Sequence, residues 1–181
     1  MTARVSTDNW VALLRGVNVG GGNKVPMADL RALCVDLGWL DVRSYIASGN
    51  LVFGAKGQAA ELAEALRIAL ADELSVNVPV LVLPGDRVRR ALRDGPFDPV
   101  KGSLVHAVFT WDIARLDLAL FERLKAPGDA LVPGDGIIWL HTPGGFGSSK
   151  VAGALPRIIT GTEMTARNLN TLRKLSEWLD G

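Results

Sequence analysis

A chain of 181 residues with 48% hydrophobic and 22% charged residues has an ordinary globular composition, long enough for one domain or two small ones. Its formal net charge of +1 argues against the broad basic footprint of a duplex nucleic-acid binder, and its single cysteine, Cys34, excludes an internal disulfide. The polar opening MTARVSTDN lacks the apolar stretch of a secretory leader, and no apolar run approaches the roughly 18 residues that cross a bilayer, so a cytoplasmic protein without a membrane partner is expected.

Taken in chain order, Trp10-Val-Ala-Leu-Leu-Arg-Gly-Val17 reads as a buried strand followed by a glycine run. From Pro26 the period becomes helical: Met27, Leu30, Leu33, Cys34 and Leu37 fall on one face, with Pro26 suited to the first turn and Gly38 to the end. Cys34 therefore belongs to the core. Val42–Ala47 and Leu51–Phe53 are β-type segments around the turn signal Ser48-Gly49-Asn50. A helix over 58–74 and a β-branched run Val76–Leu83, closed by Pro84-Gly85, complete a β-α-β-β-α-β series.

A short basic helix at Asp86–Arg93 and the stretch Gly95-Pro-Phe-Asp-Pro99 mark a boundary, after which the pattern restarts. Leu104–Thr110 reads as a strand, Ala114–Lys125 as a helix, and Asp129–Val132 and Ile137–His141 as strands around Pro-Gly-Asp-Gly. A weak helix near 149–155, a short strand at Ile158-Ile159 and a helix from about Thr165 to Leu179 close the chain. The expected fold is α+β: a tandem duplication of ferredoxin-like βαββαβ units, with antiparallel sheets and helices on one face. The expected boundaries are 1–84 for the first unit, 85–100 for the connecting helix and linker, and 101–181 for the second unit with its closing helix.

This topology locates a candidate site. In a ferredoxin-like sheet the first and second strands run parallel, with the third inserted between them and antiparallel to both. The end of the first strand, the amino end of the first helix and the turn between the second and third strands then share one sheet edge. Arg15, Asn18, Gly20 and Lys24 should therefore lie beside Ser48, Gly49 and Asn50. A helix amino terminus, glycines, a lysine and asparagine donors suit an anion. The alternative is that the glycines make a flexible loop, Gly49 serves a hairpin, and Asn18 and Asn50 bond nearby backbone. The segment carries neither a P-loop ending nor the G-x-G-x-x-G spacing.

In the closing segment, helical spacing puts Arg167, Asn170, Thr171 and Lys174 on one polar stripe beside Leu169, Leu172, Leu175 and Leu179. Asn168 projects onto the apolar face, where its amide requires a partner. Lys150, after Gly147-Ser148-Ser149, either joins a basic pocket or is a solvated helix-start lysine. His106 and His141 sit in apolar strand patterns without metal-ligand spacing, so no metal site is expected. His141 reads as a structural histidine in preference to a proton carrier. No G-x-S-x-G elbow occurs, and Ser149 beside Lys150 is too little for a serine–lysine pair. The five tryptophans read as packing, not as a base-stacking platform.

The string Leu14-Arg-Gly-Val-Asn-Val-Gly-Gly, continued by Asn-Lys-Val-Pro-Met-Ala-Asp-Leu-Arg31, resembles the opening of the DUF1697 family of uncharacterised bacterial proteins. Tyr45-Ile-Ala-Ser-Gly-Asn-Leu-Val-Phe53 and Thr165-Ala-Arg-Asn-Leu-Asn-Thr171 resemble two further motifs of that family, which usually carries tryptophan where this chain has Leu169. The resemblance spans nearly the whole chain and implies a ferredoxin-like duplication, but no activity. Its motif positions include Gly16 besides the residues already nominated.

These readings converge on a small binding protein, or an enzyme of unknown reaction, whose partner is a small anionic ligand of phosphate or nucleotide type. Arg15, Lys24 and Arg167 would neutralise its charge. The alternatives are a single-stranded nucleic-acid binder, disfavoured because Leu51-Val52-Phe53 offers one aromatic, and a non-catalytic homo-oligomeric scaffold. No catalytic residue or cofactor is designated.

Overall fold

The structure, a computed structural model, describes residues 8–99 and 101–181. Residues 1–7 of the polar opening and residue 100 of the expected linker lie outside the described residues. The chain divides into two units, one comprising residues up to Ala91 together with Lys174–Gly181, the other Leu92–Arg173.

In the first unit the elements are β1 (Asp8–Leu14), α1 (Met27–Asp36), β2 (Leu40–Tyr45), β3 (Asn50–Ala55), α2 (Ala59–Leu74), β4 (Val80–Pro84) and α3 (Gly85–Asp94), whose end passes into the second unit. The sheet order is β2-β3-β1-β4 and every neighbouring pair is antiparallel, so β3 lies between β1 and β2. Register pairs Trp10 with Phe53 and Ala12 with Leu51. Alternation then sends Trp10, Ala12, Leu14, Leu51 and Phe53 to one face. They pack there with Leu30, Leu33 and Cys34 of α1 and Leu62, Leu66 and Leu70 of α2. Each buried leucine or phenylalanine among them contributes about 1.5–3 kcal/mol. Trp39 stacks on Phe53 with ring centroids 3.9 Å apart.

Two expectations shift. The first strand stops at Leu14 because Gly16 takes a φ of +70° and turns the chain. The run from Val76 pairs as a strand only from Val80. In β2, the terminal strand of its sheet, the register slips between Leu40 and Arg43, and Asp41 adopts a φ of +50°, which makes a bulge.

The second unit contains β5 (Val105–Thr110), β6 (Arg115–Leu116), α4 (Leu118–Leu124), β7 (Ala130–Pro133), β8 (Ile137–His141), α5 (Lys150–Gly153), α6 (Leu155–Ile158), β9 (Ile159–Thr160), β10 (Met164–Asn168) and the start of α7 (Leu169–Asp180). Its four-stranded antiparallel sheet has the order β10-β5-β8-β7, and β6 pairs with β9 in a separate ribbon. Counted within each sheet, both four-stranded sheets run second, third, first, fourth strand, which suggests a duplicated unit. Val108, Ile138 and Leu140 pack with Leu120, Phe121, Val151, Leu155 and Ile158 as its core.

The expected helix at 114–125 begins only at Leu118, where the Asp117 carboxylate accepts from the Leu120 N–H (2.9 Å), and Arg115–Leu116 is strand instead. The closing helix likewise begins at Leu169, four residues later than expected. Met164–Asn168 is a strand paired with β5.

Candidate functional site

The glycine run is a small hairpin. The Gly22 N–H donates to the Val19 carbonyl (3.2 Å), with Gly20 and Gly21 between them at φ +61° and +77°. Two successive positive φ values define the mirror-image turn that glycine forms at no steric cost. Asn18, itself at φ +56°, fixes this hairpin to its surroundings. Its Oδ1 accepts from the Val25 N–H (2.9 Å), and its Nδ2 donates to the carbonyls of Val25 (2.9 Å) and Ala47 (2.7 Å). One amide therefore ties together the glycine hairpin, the approach to α1 and the β2–β3 loop.

The same loop is held from the other side. The Leu14 N–H donates to the Gly49 carbonyl (2.9 Å), and the fully buried Asn50 donates through Nδ2 to the Tyr45 carbonyl (3.0 Å) and Ser48 Oγ (2.9 Å). Gly49 has two reasons to be glycine: its φ is +80°, and an added Cβ would lie 2.8 Å from Leu14 Cβ. The glycine run and Ser48-Gly49-Asn50 are thus spatial neighbours at one end of the first sheet. The amides of Asn18 and Asn50 bond backbone and Ser48.

Beside this knot lies a cleft of about 370 Å³ lined by Asn18, Gly21, Gly22, Lys24 and Pro26. Lys24 is exposed on its rim. Pro26, which precedes α1, supplies no side-chain hydrogen bond to the first helical turn, and Asp29 is the acidic residue of that turn. Arg15 is half-buried, and its backbone N–H donates to the Pro79 carbonyl (3.1 Å).

The remaining nominated residues belong to the second unit. Arg167 is 7% exposed, and its Nη1 donates to Thr165 Oγ1 (2.6 Å) and to the Ala166 carbonyl (2.9 Å). Burial pulls its guanidinium down to about 10, still protonated at neutral pH. Because Arg167 lies on β10 while Asn170, Thr171 and Lys174 lie on α7, the expected helical stripe does not form. The cause is local: from Met164 to Asn168 the chain is strand, with a side-chain period of two. Asn168 accordingly stands before the helix, not on its apolar face, and its Oδ1 accepts from the Thr171 N–H (3.0 Å) as an amino-terminal cap. Thr171 is buried and Asn170 is exposed. Lys150 is exposed at the start of α5, whose cap is Ser149.

Sequence reasoning weighed His106 only as a metal ligand and passed over Thr142. Both are buried, and His106 Nδ1 and Thr142 Oγ1 lack a hydrogen-bond partner. The imidazole stacks on Phe146 with centroids 3.8 Å apart, and burial pushes its pKa down to about 4. A polar residue inside an apolar strand pattern was the available signal for His106; Thr142 gave none, since it follows the last strand residue. Among the described residues no group of His, Cys, Asp or Glu is arranged to hold a metal, and no helix is long and apolar enough to cross a membrane.

Fold and loops together define an α+β protein with two four-stranded antiparallel sheets. Residues 7–139 match the family described as "Protein of unknown function (DUF1697)", and the chain belongs to that family. None of the curated proteins matches it. Among solved structures it is similar to the conserved bacterial protein SP0830 from Streptococcus pneumoniae, with 27% sequence identity and a TM-score of 0.71 over 96% of this chain and 99% of that one.

Proposed function

We propose that this chain is a cytoplasmic binding protein for a small anion, held as a single phosphate group at the cleft between the glycine hairpin and α1. One observation carries the reading: Lys24 stands exposed on the rim of a cleft that Pro26, the residue before the helix α1 that lacks a side-chain cap, also lines. Uncapped first-turn N–H groups and the helix dipole favour negative charge, and the lysine adds a full cation. The three hydrogen bonds of Asn18 hold the cleft wall in place before any ligand arrives, so little ordering cost remains. Asp29 in the same turn offsets part of the positive field, which favours a monophosphate over a polyphosphate. Reading the two sheets as ferredoxin-like repeats belongs to the same proposal and is supported by their strand order.

The test is a titration with inorganic phosphate and with adenosine monophosphate, followed by backbone amide NMR. The expected result is shifts at Gly21, Gly22 and the first turn of α1, with at least a tenfold loss of affinity in Lys24→Ala, equivalent to about 1.4 kcal/mol. Equal affinity in the variant removes the proposal.

A second reading is favoured by the hydrogen bonds of Asn18 and Asn50. Their side chains serve loop geometry, so the motif describes an architecture and the protein is a scaffold. Variants at Asn50 that lose stability, in a protein that binds neither phosphate probe, support this reading.

A further inference from the structure

At one end of the core face of the second sheet two buried polar residues lie close in register. His106 stands opposite Leu140 of β8 and Asn168 of β10. Beyond the last paired residues, the Thr142 N–H donates to the Leu104 carbonyl (2.9 Å), which extends the β5–β8 ladder by one rung. Alternation then puts Thr142 on the face of Leu140 and His106, diagonal to the imidazole. His106 is 9% exposed and Thr142 1%, and each keeps an unpartnered polar atom, Nδ1 and Oγ1 respectively. Folded proteins pair nearly all buried polar atoms, and an unpaired one costs stability instead of adding it. Two such atoms at successive positions on one face of the sheet are a poor way to hold a fold together. They are a good way to keep hydrogen-bonding capacity ready.

We propose that His106 and Thr142 form a second binding site, which takes an uncharged group bearing both a donor and an acceptor, a carboxamide or an alcohol. Burial keeps the imidazole neutral at ordinary pH, so it presents one donor and one acceptor, and the threonine hydroxyl does the same. An ion entering would surrender its hydration to two neutral partners, an unfavourable exchange. The cover of the site is Phe146, stacked on the imidazole at 3.8 Å. It belongs to a loop with glycines at 144, 145 and 147. A Cβ added at Gly144 or Gly147 meets nothing within 4 Å, while Phe146 itself packs against the core of the second unit and the Gly145 N–H donates to the Thr142 carbonyl (2.9 Å). Ser148 Oγ donates to the Gly144 carbonyl (3.1 Å) and closes the loop on itself. Displacing Phe146 therefore asks for movement of this loop and the loss of its packing on the core, and not for movement of the sheet.

The test uses acetamide and glycerol as probes, acetate as a charged control, and the side-chain ¹⁵N resonances of His106 as the readout, in the parent, Thr142→Ser and Thr142→Val. In the parent and in Thr142→Ser, acetamide or glycerol is expected to shift the imidazole nitrogens, and which of the two acts more strongly separates carboxamide from alcohol. Acetate is expected to shift neither. Thr142→Val is expected to melt at or above the parent temperature, since it discards an unpaired hydroxyl, and to bind the effective probe at least tenfold more weakly. The proposal is overturned by a Thr142→Val protein that melts below the parent, by equal probe shifts in that variant, or by a parent that responds to neither neutral probe.

Discussion

Replacing Gly49 with alanine tests whether the β2–β3 loop is held by close approach or only by its backbone conformation. The residue sits at φ +80°, where a side chain costs about 1–2 kcal/mol. A Cβ there would also lie 2.8 Å from Leu14 Cβ and 3.1 Å from Val17 Cγ2, and Leu14 Cβ belongs to no flexible side-chain end that can swing aside. Relief requires moving backbone and lengthening the 2.9 Å Leu14 N–H to Gly49 carbonyl bond, an overpacking cost of about 1–3 kcal/mol. The restricted unfolded chain returns roughly 0.4–1 kcal/mol. The net loss expected is about 2–4 kcal/mol, which for a chain of this length lowers Tm by roughly 5–15 °C. Gly20→Ala is the control, because Gly20 has a φ of +61° but no atom within 4 Å of an added Cβ. It should lose about 1 kcal/mol or less once the same unfolded-state gain is allowed for. Urea unfolding followed by tryptophan fluorescence measures both. If the two variants lie within about 0.5 kcal/mol of each other, the close-approach argument is wrong.

Asn18→Asp keeps the acceptor for the Val25 N–H but loses both donated bonds, to the Val25 and Ala47 carbonyls; a loss of about 1–3 kcal/mol is expected in the same assay. Asn168→Ala removes the cap on α7 and should cost about 1 kcal/mol, while Asn168→Ser or Asn168→Asp restores most of it. Burial pushes the Cys34 thiol from an ordinary value near 9.0 up to about 12, so it should resist thiol reagents until the protein unfolds. Above pH 9 the unfolded thiol ionises and the folded one does not, so stability falls across that window, and Cys34→Ala should flatten the decline. For His106 the sign is opposite. Its folded pKa of about 4 lies below the ordinary 6.5, so the unfolded state binds the proton first and stability is lost as pH falls from about 6.5 to 4. Unfolding midpoints of the parent and His106→Gln across that range measure the effect.

Much of this architecture was legible where periodicity is long and burial one-sided. Leu30, Leu33 and Cys34, and the α2 leucines, announced their helices because a stripe against a sheet leaves a period near 3.6 in the sequence. The insertion of β3 between β1 and β2 follows from chain topology and brings the glycine run to the Ser48-Gly49-Asn50 loop. What failed was short and two-sided. In Met164–Asn168 the polar Thr165 and Arg167 are buried along with Met164, so polarity marks no exposed face and the short strand merges with the pattern of α7. Hydrogen-bond allegiance was equally hidden. Composition shows that Asn18 carries an amide, not that Val25 and Ala47 consume it, and Thr142 acquires its exceptional position only from one ladder bond to Leu104.

The bulge in β2 has a practical consequence for the molecule in concentrated solution. β2 ends its sheet, and a flat terminal strand is an invitation to another chain, whose own backbone can dock on the free row of amides and carbonyls. With the register slipped between Leu40 and Arg43 and Asp41 turned left-handed, that row is broken near its start, and the charged Arg43 stands two residues on. The strand is thereby a poor seed for edge-to-edge pairing into fibrils, a protection that straightening the segment by deleting Asp41 would remove.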